Sequence, residues 1–250
     1  QPMLRPLRVR DLGYQVVYLT QFAPSVWSLC RLIRSQRIDV VHVNEILDMQ
    51  GAIAAFMCRV PLVWHVRASL PFASTVASVL SRMSVLLADK IIVASESVQR
   101  EMYSWYANAN GKIEVLHDPP RFVALPPAKA RPQWRQRLGI TQDAPVVGLV
   151  SKLQNGKGHR WLIEAVPALA RQYPDLWVAI AGAPLESHEQ DAEYLYSLVD
   201  QLGQNDRVIF TGQIDDVPGF MSACDVLVHC PDEHDSFPGV VIEAMSAQKP

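Results

Sequence analysis

The sequence predicts a two-unit α/β fold in which each unit is a doubly wound parallel sheet. Three observations carry that expectation. Short β-branched runs alternate with segments of helical length along the 250 residues, which is the pattern of βαβ units. Most of the runs are continuously apolar, as strands covered on both faces are. A proline-rich, basic stretch interrupts the alternation near the middle of the chain, and such a stretch reads as a linker.

In the first half, strands are expected at Gln15–Leu19, Asp39–Val43, Leu62–Val66, Lys90–Ala94 and Lys112–Leu116. Helical segments lie between them at Val26–Ser35, Asp48–Cys58, Thr75–Leu87 and Ser97–Tyr106. Pro119, Pro120, Pro126, Pro127 and Pro132 then cluster with Arg121, Lys129 and Arg131. This divides the chain into a first domain over 1–118, a linker over 119–140 and a second domain over 141–250. The second half continues with strands at Pro145–Val150, Leu176–Ala181, Arg207–Phe210 and Asp225–Val228. Its helices are expected at Arg160–Gln172, Glu189–Leu202, Val217–Ala223 and Val240–Ala247. Pro167 is expected to kink the first of these or end it early. Two open sheets facing one another across a cleft would make a two-substrate site, since such sheets bind ligands beyond the carboxyl ends of their strands.

Composition narrows the function. Apolar residues make up 49% of the chain and charged residues 19%, enough for sizeable cores. A net charge of −2 gives no general attraction to nucleic acid or anionic lipid, so any phosphate must be held by a few placed groups. Cys30, Cys58, Cys224 and Cys230 form no CxxC pair and read as buried free thiols. The stretch Gly51–Val66 is broken by Arg59 and Pro61 and is too short to span a bilayer. The histidines show neither HExxH nor HxH, so no metal site is expected. The absence of GxSxG and GxGxxG disfavours a hydrolase and a dinucleotide oxidoreductase.

Three segments carry chemistry. Val150-Ser151-Lys152-Leu153-Gln154-Asn155-Gly156-Lys157-Gly158-His159 follows a strand and opens a helix. Helix-terminal amides attract anions, the glycines admit close backbone approach, and Lys152 and Lys157 add two cations, a set that suits a diphosphate. A solvated turn with two surface lysines is the plain alternative. Asp235-Ser236-Phe237-Pro238-Gly239-Val240-Val241-Ile242-Glu243-Ala244-Met245 sets one carboxylate on a loop beyond a strand and a second about two turns into the next helix. Pro238 suits that helix's first turn. A carboxylate accepts two hydroxyl hydrogen bonds, so the pair suits a ribose and a hexose. A helix cap and an ordinary helix acid would also fit. Third, His65 closes an apolar strand and Arg67 follows it. It could donate to a substrate or be a satisfied core histidine.

In this order the segments resemble the large retaining glycosyltransferase family 4, which has the GT-B fold of two Rossmann-like domains. Asp235–Glu243, followed by Ala244-Met245, is similar to that family's E-x7-E motif, and Lys152–Gly158 to its G-R-L-x-x-x-K-G loop. Ala181-Gly182, Val208–Gly212 and Ala223–Val226 match its spacing, as do Asp39–His42, His65–Arg67 and Ala88–Ser95. The resemblance implies retaining hexosyl transfer from a UDP- or GDP-sugar to a glycan or lipid-linked acceptor, with no metal or other cofactor. Glu243 would hold the nucleotide ribose and Asp235 the hydroxyls of the transferred sugar. Lys152 and Lys157 would bind the diphosphate, Phe237, Gly239 and Val240 would complete the donor site, and His65 would contact the sugar near its reacting carbon. His65, Asp235 and Lys157 are thus the catalytic candidates. A cytoplasmic enzyme of polysaccharide biosynthesis is implied, with peripheral association on the inner face of a membrane left open and no nucleic-acid partner. A nucleotide-sugar epimerase and a non-catalytic nucleotide-binding module are the other readings.

The sequence departs from the family's pattern in places. Asp235 stands for the usual Glu, Lys152 for Arg, Ser151 for Gly and Pro238 for a frequent Gly. Nothing like the family's opening strand and Gly-rich loop precedes Arg8, and the chain stops at Pro250 where the family continues. A fragment with two incomplete sheets is therefore expected.

Overall fold

The computed structural model describes residues 12–44, 48–67, 79, 82–83, 85–105, 111–121, 129–186, 188–232 and 235–250. The chain divides into two compact units, Gln1–Asp118 and Pro119–Pro250.

The first unit holds a four-stranded parallel sheet in the order β1-β2-β3-β4. Its strands are β1 (Val41–Val43), β2 (Leu62–Val66), β3 (Lys90–Val93) and β4 (Ile113–Val115). The helices are α1 (Leu12–Ser35), α2 (Met49–Cys58) and α3 (Glu96–Trp105). Asp48 caps α2 by accepting from the Gly51 amide at 3.4 Å, which satisfies one of the orphan donors of the first turn. Leu62, Trp64, Ile91 and Val93 are each 1% exposed or less and form the centre of the core.

The run Gln15–Leu19 is not a strand but lies inside α1, which continues through Pro24. A short apolar run cannot be told from a helix segment by periodicity, and here no turn separates it from the helix that follows. The helix expected over Thr75–Leu87 falls mostly outside the described residues.

The second unit has the order β7-β6-β5-β8, again all parallel. It comprises α4 (Ala130–Leu138), β5 (Val146–Val150), α5 (His159–Gln172), β6 (Trp177–Ala181), α6 (Glu189–Gln201), β7 (Val208–Gly212), α7 (Val217–Ala223), β8 (Val226–Leu227) and α8 (Gly239–Ser246). Alternate residues of β6 serve two cores. Val178 and Ile180 pack with Leu162, Ile163 and Val166 of α5 and Leu195 and Val199 of α6. Ala179 and Ala181 pack with Trp134 of α4 and Phe220 and Ala223 of α7. This strand is thus buried on both faces, which explains why it reads as an unbroken apolar run.

Residues 130–138, within the stretch read as linker, form α4. Its Arg135 is fully buried, donating to the carbonyls of Thr141, Gln142, Ala144 and Ala223 and to Asp225 at 2.7–3.1 Å. Pro167 does not end α5, which runs on to Gln172. Pro238 sits one residue before α8 as its N-cap, so Gly239 is the first helical residue.

Among the described residues no helix is long and apolar enough to cross a membrane.

Candidate nucleotide-sugar site

In the second unit the chain runs from β5 outward to β6 and β7, then returns to place β8 on the other side of β5. The loops after β5 and β8 therefore leave the sheet at its switch point, where open α/β sheets take ligands. The first carries the two lysines, and the second carries Asp235 and leads into α8, where Glu243 lies. They are joined directly. The Cys230 thiol donates to the Gly158 carbonyl at 3.2 Å, the Asp232 amide donates to the Gly156 carbonyl at 3.0 Å, and the Trp161 indole N–H donates to the Asp232 carboxylate.

This closeness explains the glycines. Gly158 has φ +80°, and a Cβ there would overlap the Cys230 carbonyl. Gly182, at the end of β6, has φ +148°, and a Cβ would overlap the Ser151 carbonyl. A third loop is drawn in there, with Ser151 N–H donating to Ala181 and Leu153 N–H to Ala183 at 3.0 and 3.1 Å. Only glycine combines these angles with that approach.

The lysines and carboxylates are built differently. Lys152 is exposed and Lys157 half-buried on the β5 loop. Two cations and no acid over residues 151–158 make a local positive patch on a chain of net charge −2. Gly239 and Val240 open α8, so their amides have no carbonyl of a preceding turn to bond. Phe237 is half-buried on the preceding loop.

Asp235 does not cap α8. It lies 3.4 Å from Nε2 of His229, at the exit of β8, without the alignment of a hydrogen bond. Glu243 is 8% exposed on α8. Burial pushes its carboxyl above the ordinary glutamate range, against the opposing pull of Arg121. The Arg121 guanidinium is 3.7 Å from Glu243 and 92% exposed, so the pair is screened by water.

His65 belongs to the first unit, at the penultimate position of β2. It is 8% exposed, stacks on His42 at 5.7 Å between ring centroids, and has a buried Nε2 with no hydrogen-bond partner. Burial lowers its pKa, and Arg67 and His42 act in the same direction against Asp118. A neutral imidazole at this place can donate or accept one hydrogen bond.

The sequence reading gave no site role to Cys230, Asp232, His229, Arg121 or Gly182. Only Gly182, a glycine closing an apolar strand after Ala181, left a local signal. Among the described residues no three His, Cys, Asp or Glu side chains are grouped to hold a metal ion.

The arrangement matches two family descriptions end to end: residues 8–119 match Glycosyltransferase Family 4 and residues 130–250 match Glycosyl transferases group 1. The chain belongs to glycosyltransferase family 4. Among curated relatives of this family, a D-inositol 3-phosphate glycosyltransferase of Streptomyces avermitilis is 30% identical, with 98% of this chain matching 56% of that protein. A 2-deoxystreptamine glucosyltransferase of Streptomyces kanamyceticus is 27% identical over 98% of this chain and 66% of its own length. The chain thus spans between about half and two thirds of these relatives. The Anabaena protein Alr3699/HepE, solved in complex with UDP, superposes with a TM-score of 0.83 at 26% identity, covering 95% of this chain and 69% of that one. A second crystal structure of it, with UDP and glucose, gives 0.78 at 28% identity over 93% and 62%. These likenesses establish the GT-B fold for the family 4 chain.

Proposed function

We propose that this family 4 glycosyltransferase moves a hexosyl unit from a UDP- or GDP-sugar to a glycan or lipid-linked acceptor, with retention at the anomeric carbon. The observation that carries this reading is the joining of the Lys152–Gly158 loop to the loop that leads into Asp235–Glu243, at the switch point of the second sheet. The complexes of Alr3699/HepE with UDP and UDP-glucose favour uracil as the base.

In this reading Lys152, Lys157 and the amides of Gly239 and Val240 hold the diphosphate. Glu243 accepts the ribose hydroxyls, Asp235 accepts hydroxyls of the sugar, and Phe237 packs against the donor. The anomeric carbon–oxygen bond breaks, and the electron pair leaves with the nucleoside diphosphate. The acceptor oxygen bonds to the same face of that carbon, and its proton passes to the departing phosphate. His65 contacts the sugar beside the reacting carbon. The lysines balance charge that develops on the leaving group, which is commonly the largest catalytic contribution. No metal is required for that step.

The test is transfer by the full-length protein with UDP- and GDP-hexoses, scored by nucleotide release that depends on acceptor and by the anomeric coupling of the product. Acceptor-dependent release with retained configuration is expected. An inverted product contradicts retention, and no transfer from any of these donors contradicts the function. Conversion of the nucleotide sugar without acceptor would indicate an epimerase.

A further inference from the structure

A cavity of about 640 Å3 opens against Asn155, Gly156 and Gly158 of the loop that carries the lysines, between the starts of α5 and α6 and the loop after β8. Neither Lys152 nor Lys157 lines it. Its size is that of a small-molecule site. We propose that it is a second ligand site that takes an uncharged saccharide, a proposal that rests on the glycosyltransferase reading only for the saccharide's source.

Two aromatic rings stand at the cavity: Trp161 and Tyr194, 51% and 50% exposed. Large rings left half in water beside a concave surface offer the flat apolar faces that the C–H side of a pyranose covers. The polar lining is suited to hydroxyls. Asp191 is held through Oδ2, which accepts from the Asn155 amide at 3.0 Å. Asp232 is held through Oδ1, which accepts from the Trp161 indole. Each carboxylate keeps a second oxygen that bonds no described protein group, and a carboxylate oxygen takes a sugar hydroxyl well.

Charge disfavours a phosphate, because Asp191 and Asp232 outnumber Arg160 on the lining. An uncharged sugar supplies hydroxyl donors for the two carboxylates and an apolar face for the rings.

The saccharide is either a distal stretch of the acceptor glycan or a free oligosaccharide, and both present the same chemistry. The experiment titrates the full-length protein with maltotriose, cellotriose and chitotriose, following Trp fluorescence, and with UDP in parallel. Saturable binding of at least one trisaccharide is expected. Trp161→Ala and Tyr194→Ala should each weaken it about tenfold, and in Tyr194→Ala, which touches neither of the joined loops' bonds, UDP affinity should stay within about twofold. Tyr194→Ala, on the surface of α6, serves if Trp161→Ala does not fold. A protein that binds UDP and none of the trisaccharides overturns the proposal, as does trisaccharide binding unchanged in both variants. Loss of UDP binding in the unaltered protein would instead overturn the donor site and leave this one standing. Added to the transfer assay, a bound trisaccharide that competes with acceptor marks the acceptor chain as the source. One that leaves acceptor saturation unchanged marks a free saccharide.

Discussion

The carbonyl of Cys230 occupies the space that a side chain on Gly158 would need. Those two residues are 72 positions apart, and their contact joins the loop with the lysines to the loop that carries Asp235 and leads into α8. The proposed donor site depends on that spacing, because no single segment carries both kinds of group.

Gly158→Ala should therefore be severe. It meets the left-handed penalty of roughly 1–2 kcal/mol and a backbone overlap that only loop displacement relieves. Gly156→Ala is the control, since Gly156 has φ +86° but open space around its Cβ position. Urea unfolding should show a cost of about 1 kcal/mol for Gly156→Ala and at least twice that for Gly158→Ala. UDP binding should be lost in the second alone.

Glu243 sets stability against binding. Its carboxyl is raised by burial, so the folded protein holds this proton more tightly than the unfolded chain does. The stabilising contribution is complete below the unfolded value of about 4.5 and disappears as pH rises through the higher folded value. At neutral pH the charged form is thus an expense, and Glu243→Gln should keep or raise the melting temperature. The same change should weaken UDP binding by about 10- to 100-fold, the worth of a charge-assisted hydrogen bond. In the unaltered protein, UDP affinity should fall on acidification at a pH above the ordinary glutamate range.

Asp225 works in the opposite direction. Burial raises its carboxyl, but the bonds from Arg131 and the Val146 amide, with Arg135 nearby, outweigh burial and lower the pKa below 3.8. It supports stability above the unfolded value, and that support is lost as pH falls through the lower folded value. Asp225→Asn strips the charge partner from Arg135, which is 0% exposed. A loss of about 2–3 kcal/mol in urea is expected, toward the low end for a stripped buried charge because Asp225 itself is 38% exposed.

How much of this was legible in the sequence varies by element. Leu62–Val66 and Val217–Ala223 have the bounds their residues predict. Pro61 ends what precedes β2, and Asp216 caps α7 by accepting from the Gly219 amide at 2.9 Å. By contrast, α4 has the polar sequence Ala-Arg-Pro-Gln-Trp-Arg-Gln-Arg-Leu and no clean apolar face. It is anchored by a buried arginine whose partners lie up to 90 residues away, and no local pattern announces that. Gln15–Leu19 failed for the reverse reason, because β-branched residues suit a strand and an α-helix can still run through them.

The candidate site divides along the same line. Lys152, Lys157, Asp235 and Glu243 were visible because charged residues beside glycines and apolar strands stand out. The bonds from Cys230 and Asp232 to the glycine loop were not visible, and neither was the approach of Arg121 to Glu243. Those depend on which loops the strand order brings together.

Arg121 should modulate nucleotide binding. It lies at the carboxylate assigned to the ribose, yet its own side chain is almost wholly in water. Arg121→Ala should change UDP affinity by less than about threefold, and the change should shrink further in high salt. A tenfold loss measured by calorimetry would show that Arg121 contacts the nucleotide itself.

The most direct test of the central claim is calorimetric titration of UDP and GDP into the protein with EDTA present, repeated with Lys157→Ala and Glu243→Ala. Binding of one nucleotide that survives EDTA and is lost in both variants is the predicted result. Binding that needs a divalent ion, or that is indifferent to both substitutions, would contradict a donor site built from the lysines of the β5 loop and the buried carboxylate of α8.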